Sequence, residues 1–302
     1  MSAPGLPVAG PVAARPRLAL SRSLLFVPGD RAERFDKAAA SGAHAVLLDL
    51  EDAVAPAGKV AARDAVADWV VRQAGASAAG GVDAVVRING VGTDWHADDL
   101  RLVAQLPPGV GLMLPKSEPA ALDSVAARLG PGRPLYALVE SVAGVLGLAA
   151  MAQVAGLHRF AFGNLDFGVD AGIAPGEDEI ELAAVRTAFV LASRGAGLPA
   201  PVDGVGLETL DPARMEADAA RARRFGFGGK LCIHPRQVAA VNAAFRPSAA
   251  DQAWARGALA AFEASGGAAV AHAGQMVDRP VADRARRLLA DAQADLPDSG
   301  HS

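Results

Sequence analysis

Residues 159–170 read RFAFGNLDFGVD. The apolar run Phe160-Ala161-Phe162 has the character of a buried strand, and it breaks into Gly163-Asn164-Leu165-Asp166-Phe167-Gly168. A carboxylate set between two phenylalanines loses hydration and needs a compensating partner. A strand is therefore expected to end here, with Asp166 at its tip and a partner close by. The same design recurs along the chain: SLLFVPG from Ser23, AVLLDLED from Ala45, AVVRING from Ala84, GLMLPKS from Gly111, LYALVES from Leu135, VDGVGL from Val202 and GKLCIHP from Gly229. With RFAFGNLD that makes eight runs, several almost continuously apolar, as parallel strands covered on both faces require.

Ala-rich helical patterns lie between these runs. ERFDKAAASGA ends on Gly42, a C-cap residue type. SEPAALDSVAARLG offers Ser117 as an N-cap with Glu118 and Pro119 in the first turn, and DPARMEADAARARRFG opens on Asp211-Pro212 and closes on Gly226. Eight strands alternating with helices point to an α/β fold of the (β/α)8 TIM-barrel type. An open doubly wound sheet is the competitor, and the count of eight favours closure. Residues 248–302 read as a C-terminal helical segment beyond a barrel of residues 21–247, and the Pro-, Ala- and Gly-rich stretch 1–20 as a disordered tail.

Composition narrows the function classes. Hydrophobic residues make up 51% of the 302 and charged residues 21%, enough for a large core. A net charge of −4 gives no footprint for nucleic acid or a membrane surface, and no uninterrupted apolar run of about 18 residues exists. The single cysteine, Cys232, excludes an internal disulfide framework and a thiolate zinc site, and points to a reducing, cytoplasmic setting.

In a barrel, reactive groups come from the C-terminal ends of the strands. The polar residues collect there: Asp49, Glu51 and Asp52 after the second run, Arg87 and Asn89 on the third, Lys116 after the fourth, Glu140 after the fifth, Asp166 after the sixth and His234 after the eighth. Glu140 and Asp166 are one β/α unit apart and would meet at the barrel mouth. Two carboxylates without Cys or a His pair suit a hard cation such as Mg2+. They equally suit salt bridges to Arg or Lys. Arg87 fits a substrate carboxylate or an enolate oxygen, or else neutralises Glu51 and Asp52. Lys116 reads as a Schiff-base lysine or as a surface lysine. Cys232 reads as core, and no partner is evident for His44, His96, His158 or His272.

Seven motifs in order, RSLLFVPGDRAERFDKA, LLDLEDAVAPAGKVAAR, VRINGVGTDWHADDL, MLPKSE, LVESVAGV, FAFGNLDFGVD and GFGGKLCIHPRQVAAVNAAFRP, resemble the citrate lyase β-subunit-like proteins of the HpcH/HpaI aldolase superfamily. The resemblance spans about residues 21–290. It implies a Mg2+-dependent barrel that cleaves or forms 3-hydroxy-acyl-CoA thioesters such as malyl-, citramalyl- or citryl-CoA, with a 2-oxoacid as the other partner. It places the metal on Glu140 and Asp166, substrate on Arg87, and the family's acidic pair on Glu51 and Asp52. Asp278, in GQMVDRPV, matches an acid/base aspartate carried on a C-terminal segment that reaches a neighbouring subunit of a trimer or hexamer. The resemblance leaves a malyl-CoA thioesterase, a class II aldolase for 4-hydroxy-2-oxo acids and a non-catalytic subunit of a lyase complex as alternatives. Two departures, Ser141 where many relatives carry Thr and Asn164 in the glycine turn, remove no ligand. Glu33 and Arg34 stand where some relatives place basic residues toward CoA phosphates.

Overall fold

A computed structural model of the chain describes residues 17–76, 82–129 and 132–293. All eight expected runs form strands: β1 Ser23–Pro28, β2 Ala45–Asp49, β3 Asp83–Arg87, β4 Gly111–Leu114, β5 Leu135–Val139, β6 Leu157–Phe162, β7 Val202–Asp203 and β8 Gly229–Cys232. They pair in parallel in chain order and close into a barrel, with β8 meeting β1 through Leu24↔Leu231 and Leu25↔Cys232. The fold is the (β/α)8 barrel, and the open-sheet alternative is set aside.

Alternation along each strand sorts two apolar layers. Leu24, Leu47, Val85, Met113, Leu138 and Leu231 belong to the interior cluster. Their neighbours Leu25, Leu48, Val86, Leu114, Val139 and Cys232 pack into the larger cluster shared with the helices. Both layers are buried, which is why the strands read as continuous apolar runs. The inward parity carries upward to Asp49 after Leu47, to Arg87 after Val85 and to Glu140 after Leu138. Three charged groups are thus delivered to the mouth by the same alternation that builds the core.

Several local expectations change. Residues 17–20 are not tail: Arg17–Leu20 form a 3-10 turn, Leu18 is buried in the interior cluster, and the Tyr136 hydroxyl donates to Leu18 O at 3.1 Å. Residues 1–16 lie outside the described residues. Ser117 does not cap the following helix, which begins at Pro119; its hydroxyl donates back to Leu114 O at 2.8 Å. Asp211 does cap its helix, accepting from Ala213 N at 2.9 Å, and Gly226 closes it at φ 102°. Beyond the barrel, the helices Ala249–Ala264 and Arg279–Gln293 flank an unexpected antiparallel hairpin, β9 Val270–His272 with β10 Gln275–Val277. This C-terminal unit has its own small core around Ala258, Phe262, Val277 and Ala282.

Candidate active site

The mouth holds a cavity of about 430 Å³ lined by Asp49, Asp52, Arg87, Glu140 and Asp166 among apolar walls that include Phe26, Leu138, Phe162 and Leu231. Arg87 is clamped from below. Its Nε and Nη2 each donate to Asp49 at 2.7 Å, a bidentate pair, and Nη1 lies 3.0 Å from Glu51 Oε2. Its guanidinium also stacks 4.8 Å from the centre of the Phe26 ring. Burial alone would lower the Arg87 pKa, but the Asp49 hydrogen bonds and charge outweigh it and raise it. Asp49 is saturated, since it also accepts from Glu51 N at 2.9 Å and Ala53 N at 3.2 Å. The expected neutralisation is therefore by Asp49 and Glu51, not by Asp52. Arg87 keeps one N–H on each terminal nitrogen for a ligand.

Glu140 follows β5 and is 3% exposed. Its Oε1 accepts from Lys116 N at 2.8 Å. Gly163 makes room for it: a Cβ on Gly163 would stand 2.5 Å from Glu140 Cβ and 2.6 Å from Oε2. Burial, then the Glu51 charge, push the Glu140 pKa up to about 8, with Asp166 adding to the rise and the Lys116 N–H and Arg87 opposing it. Asp166 differs from expectation. The strand ends at Phe162, and Asp166 lies in the first turn of the helix Asn164–Ala171, exposed to the cavity rather than buried. It does line the same cavity as Glu140. Its partner problem is thus inverted: the buried group without a cation is Glu140, and Asp166 adds negative charge beside it.

Glu51 is 5% exposed and held by Lys116 Nζ at 2.9 Å as well as by Arg87. Burial raises its pKa against the lowering effect of Arg87. Asp52 is exposed on the rim and faces both this cavity and a second of about 650 Å³ toward Asn89, Thr93 and Trp95. The pairing of Lys116 Nζ with Glu51 Oε1 favours an ion-pair role for this lysine over a Schiff base. Burial lowers its pKa, but the Glu51 hydrogen bond and charge win and hold the ammonium charged. Asn89 is a bolt rather than a reactive group: it accepts from Lys59 Nζ at 2.7 Å and donates to Leu50 O at 2.9 Å. His234 caps the helix Pro235–Phe245, and His96 Nδ1 pairs with Asn89 O at 2.9 Å. His44 accepts from Arg22 N at 3.0 Å. Asp278 caps the helix Arg279–Gln293 through Val281 N at 3.2 Å and does not line the cavity of its own chain.

Asp49 and Gly163 are the residues that sequence reasoning undervalued. Asp49 stands directly opposite Arg87 in the β2–β3 register, a signal available once both strands are aligned.

No group of three or more His, Cys, Asp or Glu is arranged to hold a metal among the described residues. A pair of carboxylates, one buried and one open to solvent, remains a donor set for a hard divalent cation that keeps water ligands. It is unsuited to zinc, which takes nitrogen and sulfur ligands in a closed shell.

Residues 22–235 match the model of the HpcH/HpaI aldolase/citrate lyase family. The chain belongs to that family. It is 39% identical over 270 residues to a citrate lyase subunit beta-like protein of Mycobacterium tuberculosis, covering 88% of this chain and 93% of the relative. It is 34% identical over 283 residues to a (3S)-malyl-CoA thioesterase of Cereibacter sphaeroides, covering 90% and 95%. The crystal structure of M. tuberculosis CitE in complex with magnesium, acetoacetate and coenzyme A superposes with a TM-score of 0.76 at 36% identity, over 91% of this chain and 99% of that one. No helix among the described residues is long and apolar enough to cross a membrane.

Proposed function

We propose that the chain is a Mg2+-dependent carbon–carbon lyase of 3-hydroxy-acyl-CoA thioesters, of the malyl, citramalyl or citryl class, releasing or consuming a 2-oxoacid. The observation that carries this is Glu140: a buried carboxyl pushed up to about 8, beside a second carboxyl and across from a clamped arginine in one cavity. Such a group is stable in charged form only beside a cation. CitE, in complex with magnesium and coenzyme A, supports the choice of ion and of thioester.

Glu140 and Asp166 would hold the Mg2+ ion, which when bound supplies Lewis acidity toward substrate oxygens. Arg87, kept from turning by Asp49, offers its two remaining N–H groups to a substrate carboxylate or to an oxygen on which negative charge develops. The walls at Phe26, Leu138 and Phe162 keep bulk water from that oxygen and strengthen the contact. Asp278 would move a proton to or from the carbon alpha to the thioester. It would do so in the mouth of a neighbouring copy, since it does not line its own cavity. A homo-oligomer, trimer or hexamer, fits the exposed Leu165 and Val169 beside the mouth and the exposed Met276 on the β9–β10 hairpin. A cytoplasmic setting is part of the same reading.

The second reading is a malyl-CoA thioesterase, favoured by the likeness to that enzyme along 90% of the chain. Asp166→Ala tests the shared metal assignment. Turnover that depends on Mg2+ should vanish while the circular dichroism spectrum and melting temperature stay close to wild type, because the side chain is exposed. Unchanged turnover would sink it.

A further inference from the structure

Two hydrogen bonds join the helix Asn164–Ala171 to the end of β5, and they bracket the two carboxylates of the mouth. Gly163 N donates to Val139 O at 2.9 Å. Further along, Asp170 Oδ2 accepts from Val142 N at 2.7 Å. Glu140 lies between Val139 and Val142, and Asp166 lies between Gly163 and Asp170. Chain and hydrogen bonds thus close a ring, with one carboxylate carried on each side of it. Asp166 and Asp170, one helical turn apart, share a face of their helix. The first tie is made by backbone alone. The second depends on the Asp170 side chain.

Helix capping does not account for that side chain. The helix Val142–Leu146 already has its N-cap in Ser141, whose hydroxyl accepts from Gly144 N at 3.0 Å. Val142 is 38% exposed and Asp170 is exposed as well, so water can serve either partner. A hydrogen bond so open to solvent returns little net stability. Its geometric effect is larger, because it sets how far the helix, and Asp166 with it, stands from Glu140. Asp170 itself does not line the cavity that Glu140 and Asp166 share. Mg2+ demands short, near-octahedral contacts, whereas Ca2+ accepts longer and more variable ones. Resting on the metal assignment of the proposed function, we propose that Asp170 is a positioning residue: by holding Val142 N it locks the helix that carries Asp166 to the segment that carries Glu140, and so fixes the spacing of the two carboxylates for Mg2+.

Calorimetric titration of the metal-free protein with Mg2+ and, separately, with Ca2+ tests this. Asp170→Ala removes the tie and should weaken Mg2+ binding about five- to tenfold, near the lower end of what loss of an outer-shell contact costs. Ca2+ affinity should change less than about twofold, so the preference for Mg2+ falls. Asp170→Asn loses the charge but keeps an acceptor oxygen for Val142 N, and should bind Mg2+ within about twofold of wild type. Both variants should melt close to wild type, because the side chain is exposed. Equal losses in Asp170→Ala and Asp170→Asn would mean that the charge acts on the ion, not the hydrogen bond, and would overturn the proposal. Parallel losses of Mg2+ and Ca2+ affinity in Asp170→Ala, the mark of a purely structural role, would overturn it too, as would no change in either. A wild-type chain that takes up no Mg2+ overturns the metal assignment and this inference with it, and that arm is read before any variant. Uptake by wild type with unaltered binding in Asp170→Ala overturns the inference alone.

Discussion

The Glu140 carboxyl ties stability, metal binding and pH together. Its pKa of about 8 in the folded chain stands against 4.5 as the ordinary value. Between those two pH values the folded chain holds a proton that the unfolded chain has released, so the stability of the metal-free protein falls as pH rises. The group's stabilising contribution is complete below about pH 4.5 and is lost as pH passes through about 8. The slope is at most about 1.4 kcal/mol per pH unit, and over the whole window the loss is on the order of 3–5 kcal/mol. Mg2+ needs the carboxylate, so binding must expel this proton. With a pKa of about 8, the group is mostly protonated at pH 7, and binding should release most of one proton there. Calorimetric titrations with Mg2+ at pH 7 in buffers of different ionisation enthalpy measure that number directly. Glu140→Gln should abolish both the release and the stability slope from Glu140. Mg2+ binding without proton release at pH 7 would refute the reasoning, since Glu140 would then already be charged or would not be a ligand.

Gly163→Ala should weaken Mg2+ binding at least tenfold, because the new methyl stands 2.6 Å from Glu140 Oε2 and must displace it. Since φ at Gly163 is −88°, the backbone accepts alanine, and the stability cost seen in urea unfolding should stay near that of overpacking, about 1–2 kcal/mol. Asp49→Asn leaves the buried Arg87 guanidinium short of a charge partner and should cost about 3–5 kcal/mol of stability by denaturant titration, with Arg87-dependent substrate binding lost as well.

The barrel was legible because its strands are buried on both faces and separated by Gly, Pro or acids. The mouth was legible because inward parity runs from the core straight into Asp49, Arg87 and Glu140. Other features carry no period. Leu18 fills the barrel floor as a single side chain, so residues 17–20 read as tail although they fold. The β9–β10 hairpin turns on Ala273-Gly274, with φ 48° and 75°, where no Asn-Gly or Asp-Gly signal exists. Asp166 was expected at a strand tip, but Gly163 leads directly into a helix and lifts the carboxylate into solvent. The left-handed turn at Lys116 is set by tertiary hydrogen bonds from Ser117, which no local pattern announces.

Lyase activity is tested most directly by incubating the full chain with malyl-CoA and Mg2+, with a chelator control, and identifying products by mass spectrometry. Glyoxylate and acetyl-CoA, formed only when Mg2+ is present, are the expected result. Malate with free CoA, or turnover that persists undiminished in the chelator, would contradict it.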